Sequence, residues 1–177
     1  MARYQAADPA ATAALIEQLS PRLYRFFAVQ TGTRTQAEDM LQDLWLRIHR
    51  VRHTYSPGQP LLPWVYAIAH RVRIDSYRKH LRRAREIGVD AIPEPAVTKG
   101  APNEAPGFSE LLAQLPESQR EILTMLKVDG LTVEEIACAT SSTAGAVKQK
   151  AHRAYARLRK FLQGTPLGRF AGKGSTR

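Results

Sequence analysis

The sequence predicts an all-α protein made of two small helical domains joined by a flexible linker. Apolar residues recur at helical spacing in both parts of the chain, and two helix starts carry a Thr-x-x-Glu capping box. Between the two parts, residues 87–108 contain four prolines and three glycines without any periodicity. A segment of roughly 20 such residues is too long for a loop inside one compact domain. We therefore expect helical domains at 11–86 and 109–163, a linker at 87–108 and a disordered basic tail at 164–177.

The composition restricts the class of partner. The 177 residues include 26 Lys and Arg against 16 Asp and Glu, a net charge of +10 that favours a polyanion such as DNA, RNA or an anionic membrane surface. No apolar run approaches the roughly 20 residues needed to span a bilayer, and no signal peptide opens the chain. The single cysteine, Cys138, rules out an internal disulfide and fits a reducing cytoplasm. No Cys/His cluster has metal-ligand spacing, so we expect neither a metal nor another cofactor.

The first two helices follow an Ala-rich start at residues 1–10, which we expect to fray. The first helix covers residues 11–29 and is interrupted or bent at Pro21. The second begins at a capping box, Thr35–Glu38, and runs to about residue 52 with one clean apolar stripe. Its other face carries a small acidic patch of four residues: Glu38, Asp39, Gln42 and Asp43. On the residues alone this patch is as compatible with helix-dipole stabilisation as with function.

The next helix is aromatic in its first half and basic in its second. A loop with three prolines, residues 53–63, precedes it, and the helix starts at Leu61 or Leu62 and ends near Arg85. Aromatic rings on which bases stack, interleaved with cations that hold phosphates, are typical of single-stranded nucleic-acid binding. Trp64 fits that role and a core position equally well, whereas Tyr66 favours the core. The cations of the second half are Arg71, Arg73, Arg78, Lys79, Arg82, Arg83 and Arg85.

The last part of the chain, residues 115–162, predicts a helix-turn-helix. Its first helix opens at Pro116 and ends at Gly130, after a helix that Ser109 caps. A capping box, Thr132–Glu135, starts a short second helix, and Thr140–Thr143 form a polar turn. A third helix starts near Thr143 without any acid and carries the cations Lys148, Lys150, His152, Arg153, Arg157, Arg159 and Lys160. This order predicts a recognition helix for the DNA major groove, against the alternative of a small bundle with a solvated basic face.

Four segments, in this order and spacing, resemble conserved regions of the extracytoplasmic function (ECF) group of bacterial sigma factors. Residues 37–50 (AEDMLQDLWLRIHR) are similar to regions 2.1–2.2, and residues 62–79 (LPWVYAIAHRVRIDSYRK) to regions 2.3–2.4. Residues 115–137 and 146–160 are similar to regions 4.1–4.2. The resemblance implies a protein that binds core RNA polymerase and directs it to promoters, recognising −35 and −10 elements and aiding promoter melting. It implies no enzymatic activity.

The resemblance also implies partners and a role for each residue group. The acidic patch would bind the coiled coil of the polymerase β′ clamp, with the β flap as a further contact. An anti-sigma factor, a role in stress response and a cytoplasmic location without membrane insertion are implied as well. The residues implied at the −10 element, where the strands separate, are Tyr55, Trp64, His70, Arg71, Asp75, Arg78 and Lys79. Those implied at the −35 element are Lys148, Gln149, Lys150, His152 and Arg153.

The sequence departs from the family pattern at two functional places. Arg71 stands where the family usually has Asn, so recognition of the −10 element is expected to differ. The Thr140–Thr143 turn lacks the usual glycine and buried aliphatic residue, and we expect a looser turn and a weaker −35 module. Residues 31–36 match nothing that we can assign. Cys138 lies between two alanines, a position that favours a small buried residue over a redox switch.

Two other functions fit parts of the sequence. A stand-alone helix-turn-helix regulator would account for residues 115–162, but not for the acidic patch or for the aromatic and basic helix. A nuclease would need carboxylates at metal-binding spacing beside histidines. The five histidines are scattered instead, at His49, His53, His70, His80 and His152.

Overall fold

The computed structural model describes residues 1–31, 33–86 and 108–164. These residues form helices and turns, with no strand among them, so the predicted all-α fold is confirmed. The predicted linker and basic tail lie almost entirely outside the described residues. The helices are α1 (Ala2–Gln5), α2 (Pro9–Gln30), α3 (Arg34–Val51), α4 (Leu61–Glu86), α5 (Phe108–Ala113), α6 (Glu117–Leu123), α7 (Val133–Ala139) and α8 (Ala144–Gly164), with a 3₁₀ turn at Arg52–Thr54 and a π-helical turn at Thr124–Val128.

The N-terminal residues are ordered, and the prediction that they fray is wrong. Tyr4 in α1 is buried in the hydrophobic core. The Gln5 side chain donates hydrogen bonds to the carbonyl oxygens of Arg52 and Tyr55, each at 2.8 Å. These contacts with the 3₁₀ turn after α3 hold the start of the chain, because they satisfy two carbonyls at a helix end.

Helix α2 is continuous through Pro21, so the predicted interruption is wrong. The helix begins with Asp8 as its cap, whose side chain accepts a hydrogen bond from the Ala11 amide at 3.1 Å. Leu23, Phe26 and Phe27 follow Pro21 and are fully buried. Packing of these large side chains outweighs the cost of a proline inside the helix, which is about 3 kcal/mol.

Helix α3 begins earlier than its sequence pattern predicts. Its cap is Thr33, whose hydroxyl accepts from the Gln36 amide at 3.3 Å. The predicted capping box at Thr35–Glu38 is therefore wrong, and Glu38 pairs with Arg34 instead, at 2.7 Å. Either threonine can cap a helix, and in the structure the hydrogen bond from the Gln36 amide shows that Thr33 is the one used. Ser109 is also wrong as a cap, since it lies inside α5.

The helix-turn-helix is confirmed in its local detail. In the capping box the Thr132 amide donates to Glu135 at 2.8 Å, and the Glu135 amide donates to the Thr132 hydroxyl at 3.2 Å. Ser141 occupies the turn with φ of +50°, a left-handed conformation that glycine adopts more easily. The turn is nevertheless closed, because the Ser142 amide donates to the Ala137 carbonyl at 2.9 Å. Cys138 is exposed, so the expectation that it is buried is wrong.

The main hydrophobic core is shared by both parts of the chain. Phe26 and Tyr66 meet edge to face with ring centroids 5.3 Å apart. Met125 and Ile136, from beyond the linker, belong to the same buried cluster. Helix α4 packs on α7 and α2 packs on α6, so that the two halves form one packed unit. The predicted domain boundaries remain a prediction, since shared packing does not show where a domain ends. No helix within the described ranges is both long and apolar enough to cross a membrane.

Candidate polymerase and nucleic-acid interface

The acidic patch of α3 faces solvent. Glu38, Asp39 and Gln42 are exposed and Asp43 is half-buried. The opposite side of the helix is buried against α2 and α4, through Ala37, Met40, Leu44 and Ile48. The 3.6-residue period of the helix thus separates an apolar face from an anionic one. Such a surface can bind a cationic partner.

Arg47 links this patch to helix α4. Its guanidinium lies 2.9 Å from Asp43 and 2.6 Å from Asp75. Burial acts to lower the pKa of Arg47, but its hydrogen bonds with Asp75 and Asp43 outweigh that effect and raise the pKa. Because Asp75 is thereby tied to α3, one cation spans the predicted polymerase-binding patch and the predicted −10 helix. Sequence analysis did not single out Arg47, although its position four residues after Asp43 is a recognisable ion-pair signal.

The aromatic residues near the start of α4 serve the packing of the preceding loop. Tyr55 is buried, and its hydroxyl donates to the Gln59 carbonyl. Trp64 is half-buried and meets the Tyr55 ring edge to face, with centroids 5.5 Å apart. Tyr66 is fully buried, as expected, and burial raises its pKa. Of Tyr55, Trp64 and Tyr66, Trp64 alone keeps part of its ring accessible for stacking on a base.

The exposed basic face of α4 lies in its second half. Arg71, Arg78 and Lys79 are exposed, as is Asp75. A shallow groove runs along this face between Asp75, Arg78, Leu81 and Arg82. The exposed cations of this face, Arg71, Arg78 and Lys79, can meet a phosphate backbone, which Arg and Lys recognise largely through charge.

His70 does not belong to that exposed face. Its Nδ1 lies 2.7 Å from a carboxylate oxygen of Glu121 in α6, and its side chain is only 16% exposed. Arg73, one turn further along α4, also reaches Glu121, at 2.9 Å, and pairs with Glu117. The structure therefore divides the predicted −10 residues into an accessible group and one that is covered by the C-terminal half.

Helix α8 presents its predicted DNA-contacting residues on one open side. Lys148, Gln149, His152 and Arg153 are exposed and Lys150 is half-buried. The Thr143 hydroxyl accepts from the Ala146 amide at 3.1 Å and so caps the start of α8. The inner side of the helix packs through Val147, Ala151 and Ala154. A helix whose inner face is packed through small residues and whose outer face is cationic can enter a major groove while it stays packed on the rest of the protein.

Arg120 is a structural residue of this half. It is 3% exposed, and its guanidinium donates to the carbonyls of Leu112, Ala113 and Leu115 at 2.9–3.2 Å. It also donates across the halves to the Val29 carbonyl at 3.3 Å. Sequence analysis missed it, because an arginine four residues after a proline carries no local sign of burial. Among the described residues, no group of three or more His, Cys, Asp or Glu side chains could hold a metal.

Comparison with known proteins agrees with this geometry. The sigma-70 region 2 model matches residues 15–83, and the sigma-70 region 4 model matches residues 108–158. The chain is 32% identical over 155 residues to the RNA polymerase sigma factor CarQ of Myxococcus xanthus, covering 84% of this chain and 87% of CarQ. It is also 32% identical over 166 residues to the ECF RNA polymerase sigma factor SigD of Mycobacterium tuberculosis, covering 87% of this chain and 78% of SigD.

The fold is shared with two solved structures. The sigma factor RpoE of Bartonella quintana, solved with the anti-sigma factor NepR, gives a TM-score of 0.70 at 22% identity, over 86% of this chain and 96% of RpoE. CnrH, solved with the cytosolic domain of CnrY, gives a TM-score of 0.66 at 21% identity, over 90% of this chain and 94% of CnrH. The chain belongs to the ECF RNA polymerase sigma factors, so it directs RNA polymerase to promoters as a non-enzymatic initiation factor. The alternative of a stand-alone regulator is not favoured.

Proposed function

We propose that the three surfaces described above divide the work of promoter-directed initiation among them. The acidic patch of α3 binds the basic coiled coil of the polymerase β′ clamp. Helix α4 and the loop before it act on the −10 element, and helix α8 reads the −35 element as duplex. The observation that carries this proposal is the opposite sign of two exposed helix faces, anionic on α3 and cationic on α8. Faces of opposite charge on one small protein suit two partners of opposite charge.

The proposed −35 contacts are the exposed residues of α8. Lys148 and Gln149 lie on one turn and Arg153 on the next, and all three are exposed, so they can reach base edges and flanking phosphates. Lys150 and His152 flank them. At the −10 element, Arg71, Arg78 and Lys79 would hold the backbone of the opened strand, with Trp64 stacking on a base. Tyr55 supports Trp64 from beneath, and Asp75 is positioned by Arg47.

We further propose an anti-sigma factor as a regulatory partner. Two proteins of the same fold, RpoE of Bartonella quintana and CnrH, were solved with such a factor or with the cytosolic domain of CnrY. A protein that covered the α3 and α8 faces would block polymerase and DNA together. The polymerase β flap as a contact of the C-terminal half, a role in stress response and a cytoplasmic site of action belong to the same proposal.

The roles can be separated with two pairs of substitutions. Asp39→Ala with Asp43→Ala should reduce binding to core RNA polymerase by about tenfold or more, since hot-spot charges at interfaces cost at least about 1.4 kcal/mol. Lys148→Ala with Arg153→Ala should leave polymerase binding unchanged and reduce run-off transcription from promoter fragments. Binding is measured by fluorescence anisotropy with labelled sigma factor, and transcription on a genomic fragment library.

Glu17→Ala is the matched control, because Glu17 is an exposed acid on α2 outside all three surfaces. It should leave both measurements unchanged. Equal loss of polymerase binding in both double variants would contradict the assigned roles. No protein-dependent start sites, together with tight duplex binding in the absence of polymerase, would contradict the proposed function itself.

A further inference from the structure

Helices α4 and α6 meet in a buried cluster of charged side chains. His70 and Arg73 of α4 share the carboxylate of Glu121, with N to O distances of 2.7 and 2.9 Å. Arg73 also pairs with Glu117. The side chain of Arg73 is 10% exposed and that of Glu121 is 3% exposed. The charged groups of Arg73 and Glu121 are therefore largely removed from water, which is costly unless they are paired with each other.

Further contacts reinforce this meeting of the two halves. Arg22 of α2 lies 3.4 Å from the buried carboxylate of Asp129, which follows the π-helical turn. The Arg120 guanidinium reaches the Val29 carbonyl at 3.3 Å. The apolar cluster around Tyr66 is continuous across the same boundary. The charged cluster therefore sits at the edge of a packed interface and not on an isolated surface.

The cluster covers one face of the helix that the proposed function assigns to the −10 element. His70 and Arg73 are three residues apart and so project from the same side of α4. A carboxylate and a phosphate are alternative partners for a guanidinium, because both accept its paired N–H donors. In the structure Arg73 donates a hydrogen bond to Glu117, and the Glu121 carboxylate lies beside the Arg73 guanidinium and His70, so these carboxylates take the place that a phosphate would occupy.

We propose that Glu117 and Glu121 occupy the His70–Arg73 face of α4 in the free protein and so keep nucleic acid away from it. We call this arrangement the closed form. The face becomes accessible to nucleic acid when the two halves separate. This inference rests on the proposed function of α4. Buried ion pairs contribute little net stability once their desolvation is counted, so exchange of the carboxylates for phosphates is energetically feasible. Helix α8 stays exposed in the closed form, and the −35 contacts are available before the −10 face opens.

The closed form is tested by a distance between the halves in the full chain. Cys138 on α7 is the only cysteine and is exposed, and Glu17→Cys adds a second exposed site on α2. Spin labels at these two positions should give one narrow distance distribution by electron-electron resonance. Glu117→Gln with Glu121→Gln leaves Arg73 buried without a charged partner, and should shift most of the population to longer distances.

The same double variant tests access to the −10 face. It should bind a fluorescein-labelled single strand of roughly 20 nucleotides at least about fivefold more tightly than the parent protein. Removing two negative charges raises affinity for DNA in any case, so the matched control removes two exposed acids outside α4 and α8, Glu17→Gln with Glu134→Gln. That control should stay within about twofold of the parent in affinity for the strand.

An unchanged distance distribution in the folded Glu117→Gln, Glu121→Gln variant would overturn the proposal, as would an affinity equal to that of the control. If the double variant loses its helical circular dichroism, Glu117→Gln alone serves, because its carboxylate is 32% exposed and its loss is tolerated more easily. Run-off transcription with core polymerase separates the two levels of inference. Normal transcription with unchanged distances removes only the closed form, whereas absent transcription by the parent protein removes the proposed function.

Discussion

Helices α4 and α8 are both long and basic, and they differ in what covers them. Each carries a run of arginines and lysines with few acids. On α8 the cations project into solvent, whereas α4 buries Arg73 and most of His70 against α6. The difference shows that a basic helix can offer to nucleic acid only those faces that its neighbours leave open. The same charge pattern produces an open surface in one helix and an internal ion-pair cluster in the other.

The largest effect on stability is expected for Arg120, which is buried, whereas the arginines on α8 are exposed. Arg120→Ala removes the guanidinium that donates to the carbonyls of Leu112, Ala113, Leu115 and Val29, and should lower the free energy of unfolding by roughly 3–5 kcal/mol. Arg153→Ala should change it by less than about 0.5 kcal/mol, because that side chain is exposed. Urea denaturation followed by circular dichroism measures both. Similar destabilisation by the two substitutions would erase the distinction between covered and open arginines.

The next effect concerns DNA binding by the free protein. Lys148→Ala with Arg153→Ala should weaken binding to duplex DNA by about fivefold or more and reduce the salt dependence by roughly one counterion per residue. His70→Ala should leave this binding within about twofold of the parent, since α6 covers His70. Anisotropy titrations at several salt concentrations give both values. If His70→Ala weakened DNA binding as much as the α8 substitutions do, His70 on α4 would have to be as accessible to DNA as the α8 residues.

A smaller effect is expected in the turn before α8. Ser141 has φ of +50°, and glycine adopts that conformation without steric cost. Ser141→Gly should therefore raise the free energy of unfolding by roughly 0.5–1 kcal/mol. Ala146→Gly, inside α8, should lower it by a similar amount because helix interiors disfavour glycine. Thermal unfolding of the two variants tests whether the turn that presents α8 carries strain.

The smallest effect is expected in the pH dependence of the free energy of unfolding, at Asp129, which pairs with Arg22 of α2. Burial raises the pKa of Asp129 above its ordinary 3.8, and Arg22 offsets only part of that rise. The folded state thus binds the proton more tightly than the unfolded chain. The stability that Asp129 contributes is fully present below pH 3.8 and is lost as the pH rises through its folded-state pKa.

Asp129→Asn removes this titration. Compared with the variant, the parent protein should lose free energy of unfolding as the pH rises above 3.8. Chemical denaturation at several pH values measures the difference between the two proteins. A difference that grows with rising pH in favour of the parent would show that the ion pair with Arg22 dominates over burial.

Local patterns in the sequence predicted which segments are helical better than they predicted where each helix begins and ends. The capping box at Thr132–Glu135 was predictable because both of its hydrogen bonds are made within four residues. At the start of α3, Thr33 and Thr35 are both residues that can cap a helix, so the sequence alone did not say which of them is used. That the N-terminal residues are well ordered could not be predicted, because it depends on hydrogen bonds from Gln5 to carbonyls about 50 positions further along the chain.

The exposed parts of the candidate surfaces were predictable from the sequence, whereas the covered parts were not. Exposure of the α3 patch and of the α8 cations follows from helical periodicity, which places apolar and charged residues on opposite faces. The burial of His70 and Arg73 has no such local cause. Their partners Glu117 and Glu121 lie more than 40 residues further along the chain, in a different helix.

The sequence by itself determined the all-α class, the helix-turn-helix, the charge of each helix face and membership of the sigma factor family. These properties depend on spacing and on residue type within a few turns of helix. Only the tertiary structure decided which charged residues remain accessible, that Arg120 and Asp129 are internal, and that Cys138 is exposed. Accessibility depends on which helices pack together, and that choice is made by the whole core through contacts between residues far apart in the chain.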